Sequence, residues 1–203
     1  MIAIIDYEMG NLKSVANAFK AVGVEPCITR DPSELSAADR IVLPGVGAFG
    51  NGMERLRRLG FVRALEENVR EKKKPFLGIC LGMQLLATKG FEFGEHAGLG
   101  WIEGEVRRLE SPDLPVPHVG WNDVAVTQSS PLLEGIGDKA DFYFVHSYHF
   151  EAAQPDSVTA TCEYGQRFAA SVSHGNIFGV QFHPEKSQKA GKHLLENFLR
   201  ISA

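Results

Sequence analysis

The chain has 203 residues, 44% of them apolar, with 23% charged residues and a formal charge of −4. That composition provides for one domain with a real core, and its mild acidity excludes a strong electrostatic pull toward nucleic acid or anionic membrane. No apolar run approaches the ~20 residues that span a bilayer, and Met1-Ile2-Ala3-Ile4-Ile5-Asp6 lacks the basic region and cleavage site of a secretory leader. Three cysteines, Cys27, Cys80 and Cys162, show no CxxC pairing, so neither a disulfide framework nor a zinc site is expected. The expectation is a soluble cytoplasmic chain forming a single domain over residues 1–203, without metal or cofactor.

In chain order, Ile2 to Ile5 predicts a strand buried on both faces. A helix follows, with Leu12, Val15, Phe19 and Val22 on one face and Asn11 as its N-cap. Val24 to Ile28 and Ile41 to Leu43 predict the second and third strands. Met53, Leu56, Val62, Leu65 and Val69 keep helical spacing, divided at Gly60. Pro75 to Ile79 predicts a fourth strand, and the pattern after Cys80 a helix that Gly90 ends. Lys72-Lys73-Lys74 reads as a solvated helix end. Four βα units predict a doubly wound, mainly parallel α/β sheet of flavodoxin-like type. Beyond Trp101 the pattern changes to short strands (102–109, 124–126, 142–146, 158–162 and 168–172) separated by Gly, Pro, Asp and Ser turns, which predict antiparallel additions. Leu194, Leu195, Phe198 and Leu199 mark a last helix.

Gly78-Ile79-Cys80-Leu81-Gly82 stands where an apolar strand stops and a helix pattern begins. A cysteine flanked by glycines at such a turn can project from the sheet edge, and a helix N-terminus favours its thiolate. Another apolar run ends at His183-Pro184-Glu185, so strands ending at one carboxyl edge can bring a nucleophile, a base and an orienting carboxylate together. Pro44-Gly45-Val46-Gly47 follows the third strand at the same edge. Its backbone can offer N–H groups to an oxyanion. A phosphate cradle is disfavoured, because no Lys-Ser/Thr pair follows the glycines.

Pro-Gly-Val-Gly, Gly-Ile-Cys-Leu-Gly-Met-Gln and Gly-Val-Gln-Phe-His-Pro-Glu together resemble the three signatures of triad (class I) glutamine amidotransferases, over essentially the whole chain and in order. The resemblance implies hydrolysis of the glutamine side-chain amide through a cysteinyl thioester. It implies that Cys80 attacks, His183 moves the proton and Glu185 orients His183. It further implies an oxyanion site from Leu81 and the Gly45, Val46 and Gly47 segment, and substrate binding by Gln84, Ser147 and Tyr148.

Three further stretches, 10–15, 118–122 and 142–148, together with Lys186 after Pro184-Glu185, resemble the glutaminase subunits of imidazole glycerol phosphate synthase. This implies a (β/α)8-barrel cyclase as heterodimeric partner. By the same resemblance the partner would combine ammonia with a phosphoribulosyl-formimino nucleotide to give imidazole glycerol phosphate and an aminoimidazole carboxamide ribotide in histidine biosynthesis. Asn11, Lys13 and Trp121, in loops, are expected at that interface, with His118 a weaker member. The rivals are a glutaminase subunit of anthranilate or aminodeoxychorismate synthase, a cysteine peptidase or acyl hydrolase, and a scaffold with a decayed site.

Overall fold

The computed structural model describes residues 1–202. In chain order these residues form β1 (Ile2–Ile5), α1 (Leu12–Ala21), β2 (Cys27–Thr29), β3 (Arg40–Gly45), α2 (Phe49–Arg58), α3 (Phe61–Leu65), β4 (Phe76–Cys80) and α4 (Leu81–Gln84). There follow β5 (Lys89–Gly90), β6 (His96–Ala97), β7 (Gly104–Arg108), β8 (His118–Val126), β9 (Ala140–His146), β10 (Tyr148–Ala152), β11 (Val158–Tyr164), β12 (Gln166–His174), β13 (Ile177–Val180) and α5 (Gln188–Arg200).

Among the described residues the strands build a nine-stranded sheet in the order β2-β1-β3-β4-β13-β12-β11-β8-β9. Its first five members are parallel. From β13 outward the neighbours are antiparallel. The doubly wound core and the antiparallel extension are therefore both as expected. A second sheet of four short strands, β10-β7-β5-β6, was not anticipated. Two-residue strands such as β5 and β6 leave no alternation to read.

Period-2 alternation explains the layering. Ile2 and Ile4 pack with Val15, Phe19, Leu194 and Phe198 on one face, while Ala3 and Ile5 pack with Met53, Leu56 and Leu65 on the other. The second sheet joins the latter layer through Val106 and Phe150. Asn11 caps α1 as its sequence predicts, its Oδ1 accepting from the Ser14 N–H at 3.3 Å. Gly60, in the left-handed region at φ 79°, separates α2 from α3.

Three local expectations are corrected. The helix after Cys80 closes at Gln84, and Gly90 lies in β5 rather than at a helix end. The carbonyls of Leu85, Leu86 and Ala87, which would propagate it, accept instead from Leu99, Trp101 and Gly100. Strand β2 begins at Cys27, not at Val24. The lysine run is only partly a solvated end. Lys74 Nζ donates to the carbonyls of Leu35 and Ser36, 2.8 Å from each.

Candidate active site

The register of the parallel strands brings the predicted segments to one rim. Gly45, the last residue of β3, stands opposite Cys80, the last of β4, and Val180 of β13 stands opposite Ile79. Cys80 adopts φ 54° and ψ −108°. A side chain in that region carries strain and persists only where its surroundings impose it. The glycines impose it here: a Cβ on Gly82 would lie 1.8 Å from the Leu43 carbonyl oxygen, and one on Gly78 would lie 2.5 Å from the Gly82 carbonyl oxygen. The thiol is buried, 3.9 Å from the Val145 carbonyl, and receives the Gln181 amide at 3.7 Å. Because α4 is a single turn, a long helix dipole is not what surrounds the sulfur.

The polypeptide leaves β13 toward His183, which begins the turn of 3₁₀ helix at Pro184–Lys186. His183 is locked from both sides: its N–H donates to the Tyr143 carbonyl at 2.8 Å, and its own carbonyl accepts the Ser187 hydroxyl at 2.6 Å. Its Nδ1 lies 2.7 Å from Glu185 Oε1, with both side chains buried. The carboxylate accepts, so Nδ1 carries the hydrogen and Nε2 is left toward the thiol. Among the described residues Nε2 has no geometric hydrogen-bond partner. Burial alone would lower the imidazole's pKa; interaction with Cys80 and Glu185 outweighs it and raises the ring from its ordinary 6.5 to about 10.

Val46 and Gly47 border a cleft, a cavity of about 360 Å³ that Cys80, Leu81, Gln84, Ser147 and Tyr148 also line, while Gly45 of the same segment does not reach it. Gly47 takes φ 104°, a value that favours glycine. The Val46 N–H does not point at the thiol. It donates to the Met9 carbonyl at 3.1 Å, in the connection between β1 and α1. Gln84 is buried, and its Nε2 donates to the Tyr148 carbonyl at 2.8 Å and to Gln181 Oε1 at 3.0 Å. The Ser147 carbonyl accepts from the Leu109 N–H.

Sequence reasoning passed over two residues of the cleft region. Gln181 touches both Gln84 and the sulfur; its spacing of two from His183 on an extended segment was a usable signal. Glu92 lines the cleft, with Oε2 accepting the Phe49 N–H at the start of α2. It sits in an irregular loop that offers no periodicity. Among the described residues no cluster of metal-ligating side chains occurs.

Of the residues expected at a partner surface, Asn11 and Lys13 are exposed, the first as cap and the second within the first turn of α1. Trp121 is half exposed, but it lies within strand β8 rather than in a loop, and its flanks Gly120 and Asn122 are paired to Phe144 and Phe142. Its ring meets Tyr143 edge to face, and Lys186 Nζ sits over the same tyrosine. Helix α1 packs against the Pro184–Lys186 turn, whose Lys186 reaches the Tyr143 ring that Trp121 meets. His118 is buried at 2% exposure and is not a surface residue.

Comparison with known proteins shows the family. Residues 3–201 match the family model described as glutamine amidotransferase class-I. Imidazole glycerol phosphate synthase subunit HisH 1 of Campylobacter jejuni (strain RM1221) is 50% identical, covering 99% of this chain and 100% of the relative. Subunit HisH 2 of Pseudomonas aeruginosa is 45% identical over the same shares of each chain. Among solved structures, PurLQS from Thermotoga maritima superposes with a TM-score of 0.79 at 20% identity, covering 98% of this chain and 96% of that one. The last likeness speaks for the fold alone. On the family match over nearly its whole length and on its HisH relatives, the chain belongs to the class-I glutamine amidotransferases, in the group of imidazole glycerol phosphate synthase HisH subunits.

Proposed function

We propose that the whole chain acts as one glutaminase unit that hydrolyses glutamine to glutamate and ammonia and hands the ammonia to a (β/α)8-barrel cyclase of imidazole glycerol phosphate synthase. The observation that carries this reading is the buried His183–Glu185 pair at 2.7 Å, set beside a cysteine held in a strained elbow. Cys80 and Glu185 hold the His183 pKa up at about 10, so the ring is suited to carry the proton that the sulfur gives up as it becomes the nucleophile.

The thiolate would attack the carboxamide carbon of glutamine, forming the C–S bond while the carbonyl π pair moves onto oxygen. The His183 proton passes to the leaving nitrogen as the C–N bond breaks, releasing ammonia and leaving a γ-glutamyl thioester. Water, giving its proton to the now neutral His183, then attacks the thioester. Collapse of that second intermediate breaks the C–S bond, returns Cys80 and frees glutamate. Glu185 keeps the imidazole in one tautomer throughout. Gln84 has its amide hydrogens committed within the protein, which leaves its Oε1 for the substrate. Glu92, Ser147 and Tyr148 line the cleft where the amino-acid end of glutamine would lie, and a carboxylate suits its ammonium group.

The Leu81 N–H, at the first turn of α4, would be one oxyanion donor and the Val46 N–H the other. Because the latter is tied to the Met9 carbonyl, the isolated chain would turn over slowly. Docking of the cyclase with its nucleotide would turn that peptide toward the cleft. The rim of Asn11, Lys13 and Trp121 would carry the interface, keeping ammonia from water, which would protonate it. The free state of the three cysteines suits a reducing compartment, and we place the chain in the cytoplasm.

Glutamine hydrolysis should be measured for the chain alone, with a barrel cyclase, and with the cyclase plus its nucleotide. Slow turnover raised at least tenfold in the full mixture is expected; an unresponsive rate, or stimulation by a chorismate-using partner instead, would overturn the assignment.

A further inference from the structure

The polar interior of the antiparallel region contains a continuous line of hydrogen bonds whose direction can be deduced. The Tyr148 carbonyl accepts only, so His146 Nδ1, 2.9 Å away, must carry its hydrogen. A neutral ring then has a bare Nε2, and this nitrogen lies 3.0 Å from His118 Nδ1. His118 must therefore donate from Nδ1 and accept at Nε2, where Asn122 Nδ2 stands at 3.4 Å. Asn122 is itself fixed in one orientation, its Nδ2 donating to the Glu163 carbonyl at 3.0 Å and its Oδ1 accepting the Asp123 N–H at 2.9 Å. Burial pushes both imidazoles down, His118 to about 4 and His146 to about 3, consistent with neutral rings.

Both ends of this line matter. At the inner end, the same Tyr148 carbonyl holds Gln84, Gln84 holds Gln181, and Gln181 reaches the Cys80 sulfur. At the outer end, Asn122 and His118 lie on one face of β8, while Val119 and Trp121 project from the other at 55% and 48% exposure. A buried hydrogen-bonded network specifies one arrangement when every member is satisfied. Here the specified object is the set of amide groups around the nucleophile.

We propose that Asn122, His118 and His146 are positioning residues for the glutamine site: their hydrogen bonds run one way from β8 to the Tyr148 carbonyl, which Gln84 meets as a second donor, and so tie the strand that bears Val119 and Trp121 to Gln84 and Cys80. The proposal deepens the glutaminase reading above and rests on it. Because Trp121 belongs to the surface proposed for the cyclase and Val119 shares its face of β8, a partner that seats β8 would also seat the Tyr148 carbonyl.

Two substitutions at His118 separate this role from packing. The imidazole stacks on Tyr164 (centroids 3.9 Å) and Phe144 (4.8 Å), at 22° to each. His118→Phe keeps the stacking and removes both hydrogen bonds; His118→Asn loses the stacking but keeps an N–H donor near the Nδ1 position. In the complex with cyclase and nucleotide, His118→Phe should lose about 5- to 10-fold in kcat/KM for glutamine, the size of one lost hydrogen bond, while its ammonium-dependent synthesis holds. His118→Asn should recover most of that loss. A fully active His118→Phe, or His118→Asn as poor as His118→Phe, would overturn the proposal. Should His118→Phe not fold, Asn122→Leu removes the half-buried outer link together with its bonds to Glu163 and Asp123. At a temperature where the variant is fully folded it should lower glutamine turnover about 3-fold while ammonium-dependent synthesis holds, and unaltered glutamine kinetics would count against the line. A native chain that fails to hydrolyse glutamine in the complex would sink the glutaminase reading and this proposal with it.

Discussion

Two parts of the same rim are in different states. At the Cys80–His183–Glu185 corner, the strained elbow, the 2.7 Å carboxylate–imidazole contact and the backbone ties of His183 to Tyr143 and Ser187 are already in place. At the neighbouring Gly45, Val46 and Gly47 segment, the N–H proposed to stabilise the oxyanion is spent on the Met9 carbonyl. The difference teaches where control can reside. Proton transfer needs groups that hold still, so it is built on strand ends and locked turns. Oxyanion binding depends on the direction of one peptide, Gly45–Val46, and the glycine on its N-terminal side has the backbone freedom that lets that peptide turn. A glutaminase built this way can keep its nucleophile assembled and still wait for a partner.

The largest expected effect breaks the assembled corner. Cys80→Ala should abolish glutamine-dependent synthesis in the complex while added ammonium still drives the cyclase; loss of both would mean misassembly. Glu185→Gln should cost less, about 10²- to 10³-fold in glutamine turnover, because the thioester can still form on a poorly oriented imidazole. It also carries a pH signature. The folded His183 pKa is raised above its unfolded value, so its contribution to stability is full below pH 6.5 and is lost as pH rises through about 10. Melting temperature measured from pH 6.5 to 10 should therefore fall in the native chain. The fall should be shallower in Glu185→Gln, where one cause of the raised pKa is gone; parallel curves would remove Glu185 from that role.

Much of the fixed corner was legible in the sequence, and little of the controlling one. Strand alternation, the glycines around Cys80 and the proline after His183 are local rules, and the structure obeys them. Leu85 and Leu86 continue a helical pattern and so predict a longer helix after Cys80, whereas their carbonyls are captured by residues 99–102, the connection between β6 and β7 of the second sheet. Trp121 was placed in a loop because Gly120 and Asn122 are turn formers, yet pairing with β9 holds all three in a strand. The bond from Val46 to Met9, the burial of His118 and the place of Glu92 are tertiary facts that no spacing encodes.

A double substitution sharpens the contrast from the other side. Tyr7 is fully buried, and among the described residues its hydroxyl has no hydrogen-bond partner. Burial, and secondarily Cys80, raise its pKa, so it stays neutral. A Cβ on Gly45 would lie 2.0 Å from that oxygen. Gly45→Ala should therefore destabilise the fold by about 1–3 kcal/mol through overpacking. Tyr7→Phe removes the offending oxygen and an unsatisfied hydroxyl, and should itself be nearly neutral. Combined, the two should lose less stability than their sum, the mark of coupled neighbours in a double-mutant cycle of denaturant unfolding. Strict additivity would mean that Leu81, 3.0 Å from the same Cβ position, governs the packing instead.

The smallest effect distinguishes two duties at Asn11. As the cap of α1 it satisfies the Ser14 N–H, and replacing such a residue by alanine costs about 1 kcal/mol, which lowers the melting temperature of a chain this size by about 2–4 °C. As a member of the partner rim, it would also contribute to cyclase affinity. Asn11→Asp keeps a capping oxygen while replacing the amide donor with a negative charge, so it separates the two. If the residue only caps, Asn11→Asp should match the native chain in both stability and cyclase binding. If it also contacts the partner, Asn11→Asp should keep the melting temperature yet weaken cyclase binding measured by calorimetry, and Asn11→Ala should lose on both counts. An Asn11→Asp chain of native affinity would move the interface away from the N-terminus of α1, toward the exposed face of β8, where Val119 and Trp121 already offer apolar surface to a partner.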